Sequence, residues 1–267
     1  AWLAARTGDA ELVDQADRIV DFSFRHRNEQ TGLLENNPTV RRWDKFACTT
    51  EVGLWGGCLL RAAGRSGDRQ DWVDKAAAAV SAFLGHGFDA SAGRFWGRLR
   101  VADGTPILGE GATEADNEQS LTHQPGDYAD VWRPLFPAHD YPMPFAECCL
   151  SLFERTNESQ YRTACERWAA QVAASLPARN GRGGYAEHYG RCIHFLWRCS
   201  RVFGAELYEA LARRVAAEAI DRLFDETMFR GHPGEHRYDA VDGVGFLALA
   251  LLALETGDDP DGMGAGW

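Results

Sequence analysis

No apolar run in this chain approaches the ~20 residues that a membrane-spanning helix needs. The longest, Phe246 to Leu254, reads as a buried helix. Positive charge is also in short supply. With 28 Lys and Arg against 39 Asp and Glu, the net charge is −11, which argues against nucleic acid or an anionic membrane as a partner, since both demand a concentrated basic surface. No Gly-rich phosphate loop, serine-nucleophile elbow, HExxH motif or calcium loop occurs. Gly181-Arg-Gly-Gly184 reads as a flexible entry to a helix. The seven cysteines are odd in number and form no pair of CxxC motifs, so a structural zinc site is not expected. Most fall within helical segments and read as buried free thiols. That use favours a cytoplasmic setting without fixing the localisation. Cys148-Cys149, directly after Glu147, leaves a thiol or metal role open. No secretory signal is visible, and there is no initiating Met. The opening Ala1-Trp2-Leu3-Ala4-Ala5 looks like the tail of an apolar helix, so an N-terminal portion is expected to be missing.

What the chain does have is a junction that recurs five times: an apolar helix end, a short polar turn, then a new amphipathic helix. The instances are Leu3–Asp9, Leu60–Asp68, Leu152–Glu158, Cys199–Ala205 and Leu252–Asp258. Each puts Gly or Asn where a helix C-terminus calls for a left-handed residue. In four of them Asp or Glu follows, suited to the positive end of the next helix. Repeated helical hairpins imply a solenoid or a closed helical toroid.

Apolar spacing near 3.6 residues predicts polar-faced helices at about Ala10–Arg25, Gln70–Leu84, Ser159–Leu176 and Ala205–Phe224. Between them lie more apolar helices at about Thr50–Ala63, Pro142–Arg155, Ala186–Val202 and Val241–Glu255. The alternation reads as outer and inner rings. Connections from inner to outer helix are tight, whereas those from outer to inner are long, at roughly 26–49, 85–141, 177–185 and 225–240. In such an arrangement the long connections emerge on one face, where sites are usually built. The alternation Phe95–Val101, a turn at Ala102-Asp103-Gly104 and Thr105–Leu108 predict a β-hairpin in the longest connection. No low-complexity linker divides the chain, so residues 1–267 are expected to form one domain.

These alternating helices and T/S-G-D junctions resemble the all-α (α/α) toroids of six-hairpin glycosidases and N-acylglucosamine 2-epimerase-like proteins. The resemblance covers nearly the whole chain. It implies an (α/α) barrel, here with fewer than six hairpins and a small β-hairpin insertion. It also implies carbohydrate chemistry in a central cavity lined by the inner-helix N-termini and the loops before them.

Polar and aromatic residues gather at those entries. The first cluster runs from Asn36 through Trp43, Asp44 and Lys45 to Glu51. The second passes from His123 through Tyr128, Asp130, Trp132 and His139-Asp140-Tyr141 to Glu147. The third holds Gly183-Gly184-Tyr185, Glu187, His188, Tyr189 and Arg191, with His194 and Trp197 following. The fourth runs from His232 through His236, Arg237, Tyr238 and Asp239 to Asp242.

Glu187, Arg191 and His194 stand at i, i+4 and i+7 and so share a helix face. Arg191 suits a uronate carboxylate, and a His titrates near neutral pH. The same spacing also describes an ordinary helix ion pair and a core histidine. Asp44, between Trp43 and Lys45, is either a base or sugar-binding group or a surface ion pair. Glu147, in an otherwise apolar helix, is a candidate general acid if burial raises its pKa, or else a first-turn carboxylate. Asp239 and Asp242 read as an inner-helix cap and a first-turn acid, with capping the favoured role for Asp242. His232 and His236 have HxxxH spacing, but Pro233 and Gly234 break the helix that would align them on a metal.

The candidate catalytic residues are thus Glu147, Glu187, His188, Tyr189 and Asp239. The candidate sugar-contact residues are Trp43, Asp44, Arg191, His194, Trp197, Arg237 and Tyr238. No cofactor or metal is expected, and the expected partner is a sugar or oligosaccharide. The first reading is cleavage of glycosidic bonds in uronate-bearing oligosaccharides. Hydrolysis would use a carboxylate pair, while elimination would use Tyr or His, with Tyr185, His188, Tyr189 and Arg191 as the fitting set. A sugar epimerase or isomerase, with His188 or His194 paired to His232 or His236, is the second. A non-catalytic glycan-binding toroid is the third.

Overall fold

The computed structural model describes residues 2–35, 46–108, 128–133, 140–234, 236, 238 and 243–259. The chain divides into two compact units: Ala1–Ala129 with Leu135–Glu158, and Asp130–Pro134 with Ser159–Trp267.

The first unit begins with α1 (Trp2–Thr7) and α2 (Ala10–Arg25). Gly8 takes the left-handed turn between them at φ 68°. The Asp9 carboxylate then caps α2 by accepting the Glu11 and Leu12 amides at 2.9 and 3.4 Å, satisfying two of the helix's orphan donors. A second hairpin joins α3 (Thr49–Arg65) to α4 (Gln70–Gly87) through left-handed Gly67 and Asp68. α4 turns Trp72, Val73, Ala76, Ala79, Val80 and Phe83 inward at helical spacing. Asp17 of α2 links it to this hairpin, accepting from the Arg69 guanidinium at 2.6 Å and the Trp72 indole at 3.0 Å.

α5 (Met143–Thr156) lies along α3 in the same direction. Thr50 Oγ1 donates to the Tyr141 carbonyl at 2.9 Å, and Arg155 reaches the Leu60 carbonyl at 3.1 Å, so the pairing advances together along both helices. Their backbones touch at Gly53. A Cβ there would stand 2.2 Å from the Phe145 nitrogen and 2.5 Å from the Pro144 carbonyl carbon.

The strands of this unit pair differently from the expected hairpin. The turn at 102–104 forms, and Leu99 bridges Pro106. The main partner of β4 (Arg98–Arg100), however, is β1 (Phe46–Cys48), with Cys48 opposite Arg98. β2 (Phe88–Asp89) and β3 (Arg94–Phe95) form a separate hairpin. The alternation from Phe95 to Val101 is therefore split between two sheets. The break falls at Gly97, where a Cβ would meet that of Asp140 at 2.6 Å.

In the second unit, α6 (Ser159–Ala174) precedes α7 (Ala186–Phe203), α8 (Glu206–Leu223) and α9 (Val244–Thr256). Gly204, left-handed at φ 63°, turns α7 into α8. α7 is buried along nearly its whole length, from Ala186 to Ser200 apart from Arg198. α9 runs parallel to it, and the contact repeats the one in the first unit. A Cβ on Gly190 would stand 2.6 Å from the Leu247 nitrogen and 2.7 Å from the Phe246 carbonyl carbon. The same three backbone atoms are met at both crossings: the nitrogen and Cα of one residue and the carbonyl carbon before it.

All five junctions carry left-handed residues where the sequence calls for them: Gly8, Gly67, Asn157, Gly204 and Gly257. The eight predicted helices are present, with ends displaced by up to three residues. The run Phe246–Leu254 buries Leu247, Ala250, Ala253 and Leu254, but Leu249 and Leu252 are exposed. Among the described residues the packing of α9 is chiefly on α7, which covers one side of it. No helix among the described residues is long and apolar enough to cross a membrane. All seven cysteines are free, six of them buried.

Candidate functional site

Among the described residues, the N-terminal end of α7 gathers the densest polar chemistry. Its entry is built from Gly183, left-handed at φ 83°, and Gly184. A Cβ on Gly183 would meet Pro233 at 2.8 Å, and one on Gly184 would meet the Trp132 ring at 3.0 Å. Two glycines are thus needed for the chain to pass between these neighbours. Trp132 is itself fixed by an indole hydrogen bond to Ser175 Oγ at 2.8 Å. Tyr185 then opens the helix, and the Ala186 amide donates to the Gly231 carbonyl at 2.8 Å, tying the 231–234 loop to this end.

The ring of Tyr185 contacts two imidazoles. His188 stands edge-on to it at 5.4 Å between centroids, and His232 lies at 4.5 Å. His188 is 1 % exposed. Burial first, then the positive charges of Arg191 and Arg179 and the neighbouring His232, push its imidazole down to about 3. His188 is therefore neutral at neutral pH, its surroundings opposing the charged imidazolium. His232 Nδ1 accepts the Gly234 amide at 3.1 Å, which sets the orientation of its ring.

That depressed pKa links His188 to stability. The unfolded imidazole has the ordinary value of 6.5. Between pH 6.5 and about 3 the unfolded chain therefore binds a proton that the folded chain refuses. Stability is full above this window and falls as pH drops through it, by up to about 1.4 kcal/mol per pH unit. Urea unfolding followed from pH 7 to pH 4 should show this loss, and His188→Gln should remove one proton's worth of the slope.

Glu187 and Arg191 form a salt bridge of 2.8 Å, with side chains 10 % and 1 % exposed. The guanidinium also lies over the Phe246 ring at 4.6 Å. Gly243 abuts Glu187, its missing Cβ falling 2.3 Å from the Glu187 Cβ. Breaking so buried a pair leaves an uncompensated charge. Arg191→Met should destabilise the fold by about 3–5 kcal/mol, measured as a loss in chemical denaturation.

The other described candidates have partners of their own. The Tyr189 hydroxyl donates to Glu218 Oε1 at 2.8 Å and accepts the Gly184 amide at 3.3 Å, and burial with the Glu218 bond raises its pKa. It braces the entry rather than presenting a free hydroxyl. His194 lies seven residues beyond Glu187, roughly 10 Å along the helix, and bonds Asp259 at 2.9 Å. Trp197 stacks on His194 at 5.8 Å, so this pair belongs to the middle of α7 and not to its entry. The Tyr238 hydroxyl bonds Asp225. In the first unit Glu147 is buried within α5, whose residues Met143–Leu150 are all buried. Next to it, burial pushes the Cys148 thiol up to about 12, so that cysteine is inert as a nucleophile. Trp43, Asp44, Arg237 and Asp239 lie outside the described residues. Among the described residues no cluster of three His, Cys, Asp or Glu side chains is arranged to hold a metal.

No family model matches the chain, and no curated protein does. Solved structures do match. The crystal structure of a D-mannose isomerase aligns with 94 % of this chain and 68 % of its own length, at a TM-score of 0.65 and 13 % identity. That of an unsaturated glucuronyl hydrolase specific for heparin aligns with 96 % of this chain and 72 % of its own, at 0.59 and 13 %. Both are (α/α) toroids of the six-hairpin and epimerase-like type. The likeness establishes the fold: this chain is an all-α protein of the (α/α) toroid class, as its junctions imply.

Proposed function

We propose that this chain is a carbohydrate-active enzyme whose chemistry is proton transfer at a sugar carbon next to a carbonyl group. The observation that carries this reading is the buried, neutral His188, set against Tyr185 with His232 on the other contact of the same ring. A neutral imidazole takes a carbon-bound proton, the negative charge of the forming enediolate offsetting the burial and cationic neighbours that otherwise oppose the imidazolium, and a second imidazole nearby supplies a proton to that enediolate. For an aldose a proton leaves C2 and one is added at C1 while the O2 hydroxyl proton passes to O1, so that aldose and ketose interconvert with atoms conserved and no external redox partner. The same first step on a uronate, with loss of the neighbouring glycosidic oxygen, is an elimination. Either outcome can use both imidazoles, since the departing glycosidic oxygen of an elimination also needs a proton; isomerisation is the reading we take forward.

Hydrolysis by a carboxylate pair has less support at the α7 entry. Among the described residues the carboxylates there are committed, Glu187 to Arg191 and Glu218 to Tyr189 and the Ala178 amide. The sugar-contact assignments of Trp43, Asp44, Arg237 and Tyr238, and the acid–base assignments of Glu147 and Asp239, stand as proposals from their place in the sequence.

Incubation in D2O with mannose, fructose, glucuronate and unsaturated uronate oligosaccharides tests the reading. Deuterium at a sugar carbon without chain cleavage is expected. A product absorbing in the near ultraviolet would assign elimination instead. Release of reducing ends with no deuterium would sink proton transfer in favour of hydrolysis. Sugar binding without any conversion would leave a glycan-binding toroid.

A further inference from the structure

The stretch that delivers the α7 entry is held in place from another helix. Arg179, Asn180, Gly181 and Gly183 all have positive φ, at 50°, 57°, 84° and 83°. For Arg179 this is an unfavourable backbone region, whereas Asn180 and the glycines tolerate it, so the stretch gains from being held at its ends. Both of its ends return to one carboxylate oxygen, Oε1 of Glu218 on α8. The Ala178 amide donates to it at 2.8 Å. The Tyr189 hydroxyl donates to it at 2.8 Å and accepts the Gly184 amide at 3.3 Å. Inside the stretch, the Gly183 amide closes on the Ala178 carbonyl at 3.0 Å. Gly184 then borders His188: a Cβ on it would lie 3.6 Å from His188 Nδ1. A continuous chain of bonds and contacts therefore runs from Glu218 through Tyr189 and Gly184 to the imidazole.

We propose that Glu218 is a positioning residue of the α7 entry, fixing where Tyr185 and His188 stand and keeping water from the imidazole. It acts through Tyr189 and the Ala178–Gly184 backbone. Its consequence for turnover rests on the proton-transfer reading above; its consequence for His188 does not. Glu218 lies in a polar-faced helix some thirty residues away in sequence, and no motif marks it.

Three variants of the full chain test the assignment: Glu218→Ala, Glu218→Gln and Tyr189→Phe. The first readout is the NMR titration of the His188 imidazole without substrate, assigned by comparison with His188→Gln. The charged and titratable groups that act on it are Arg191, Arg179 and His232. Glu218→Ala should raise its pKa by about one unit or more as water reaches the ring. Amide exchange at Gly183 and Gly184 should quicken roughly tenfold or more. Glu218→Gln keeps an acceptor oxygen for both bonds and should restore most of both properties. In turnover, Glu218→Ala should lower kcat by about 10–100-fold with KM little changed.

Should Glu218→Ala fail to fold, Tyr189→Phe severs only the Gly184 arm and should show the same changes at smaller amplitude. A variant that melts earlier but keeps the wild-type titration and exchange rates would reduce Glu218 to a structural prop and overturn the assignment. If the wild-type protein turns over no sugar, the function proposed above fails, while the titration and exchange still decide the part played by Glu218.

Discussion

Substitution of His188 by Asn should lower turnover by about 10²–10⁴-fold, the usual contribution of a positioned acid–base group. The side chain is nearly isosteric with the proximal half of the ring, and it carries no titratable nitrogen. KM should move little, because His188 is assigned to proton abstraction and not to binding. The pH profile offers a second check. An ordinary histidine base would switch off below about pH 6.5, but His188 is held near 3 by burial and by Arg191. The acid limb of the rate should therefore lie well below pH 6.5, toward about pH 3. Full activity in the His188→Asn variant would remove His188 from the base position assigned to it, whereas a wild-type acid limb near pH 6.5 that this substitution abolishes would keep the role and overturn the depressed pKa.

Large structural effects should also come from two glycines that look dispensable. Gly→Ala inside a helix ordinarily stabilises by about 0.5–1 kcal/mol. Gly85 in α4 and Gly245 in α9 have open space where a Cβ would go, and their Ala variants should show that gain. Gly53→Ala and Gly190→Ala should do the opposite. Their new methyl groups would fall 2.2 and 2.6 Å from backbone nitrogens of the neighbouring helix. No side-chain rotation relieves a clash with backbone, so the paired helices must separate along their whole contact. A net loss of roughly 2–4 kcal/mol is expected, or about 4–16 °C in Tm at this chain length. Thermal melting of the four variants side by side makes the comparison internal. Equal behaviour of all four would mean that neither crossing is as close as described.

The hairpin repeat was legible because helix ends are written locally. A left-handed residue after an apolar helix end has a steric cause that involves only its own backbone, and each of the five junctions obeys it. The helices were legible for a similar reason, since apolar spacing reports which face is buried. Strand pairing was not. Arg98 could have paired within its own hairpin or with Cys48, and nothing in the alternation selects the distant partner. The polar entry to α7 could be read as a cluster, and Glu187–Arg191 as a pair, because both follow helical spacing. Tyr189 has the same address in sequence, yet its hydroxyl points to Glu218 on α8. That difference arises from the direction of a side chain around the helix axis and from what another helix happens to offer.

By itself, then, the order of residues determined a succession of helical hairpins and the end of α7 where chemistry collects. Those features depend on interactions within a few positions along the chain. Tertiary structure alone decided that Gly53 and Gly190 carry the two parallel crossings, that His188 is neutral, and that His232 is the imidazole sharing the Tyr185 ring with it. Each of these depends on how many atoms from distant segments surround a group and exclude water from it. Burial of that kind sets the pKa of an imidazole and the room for a methyl group, and no local pattern encodes it.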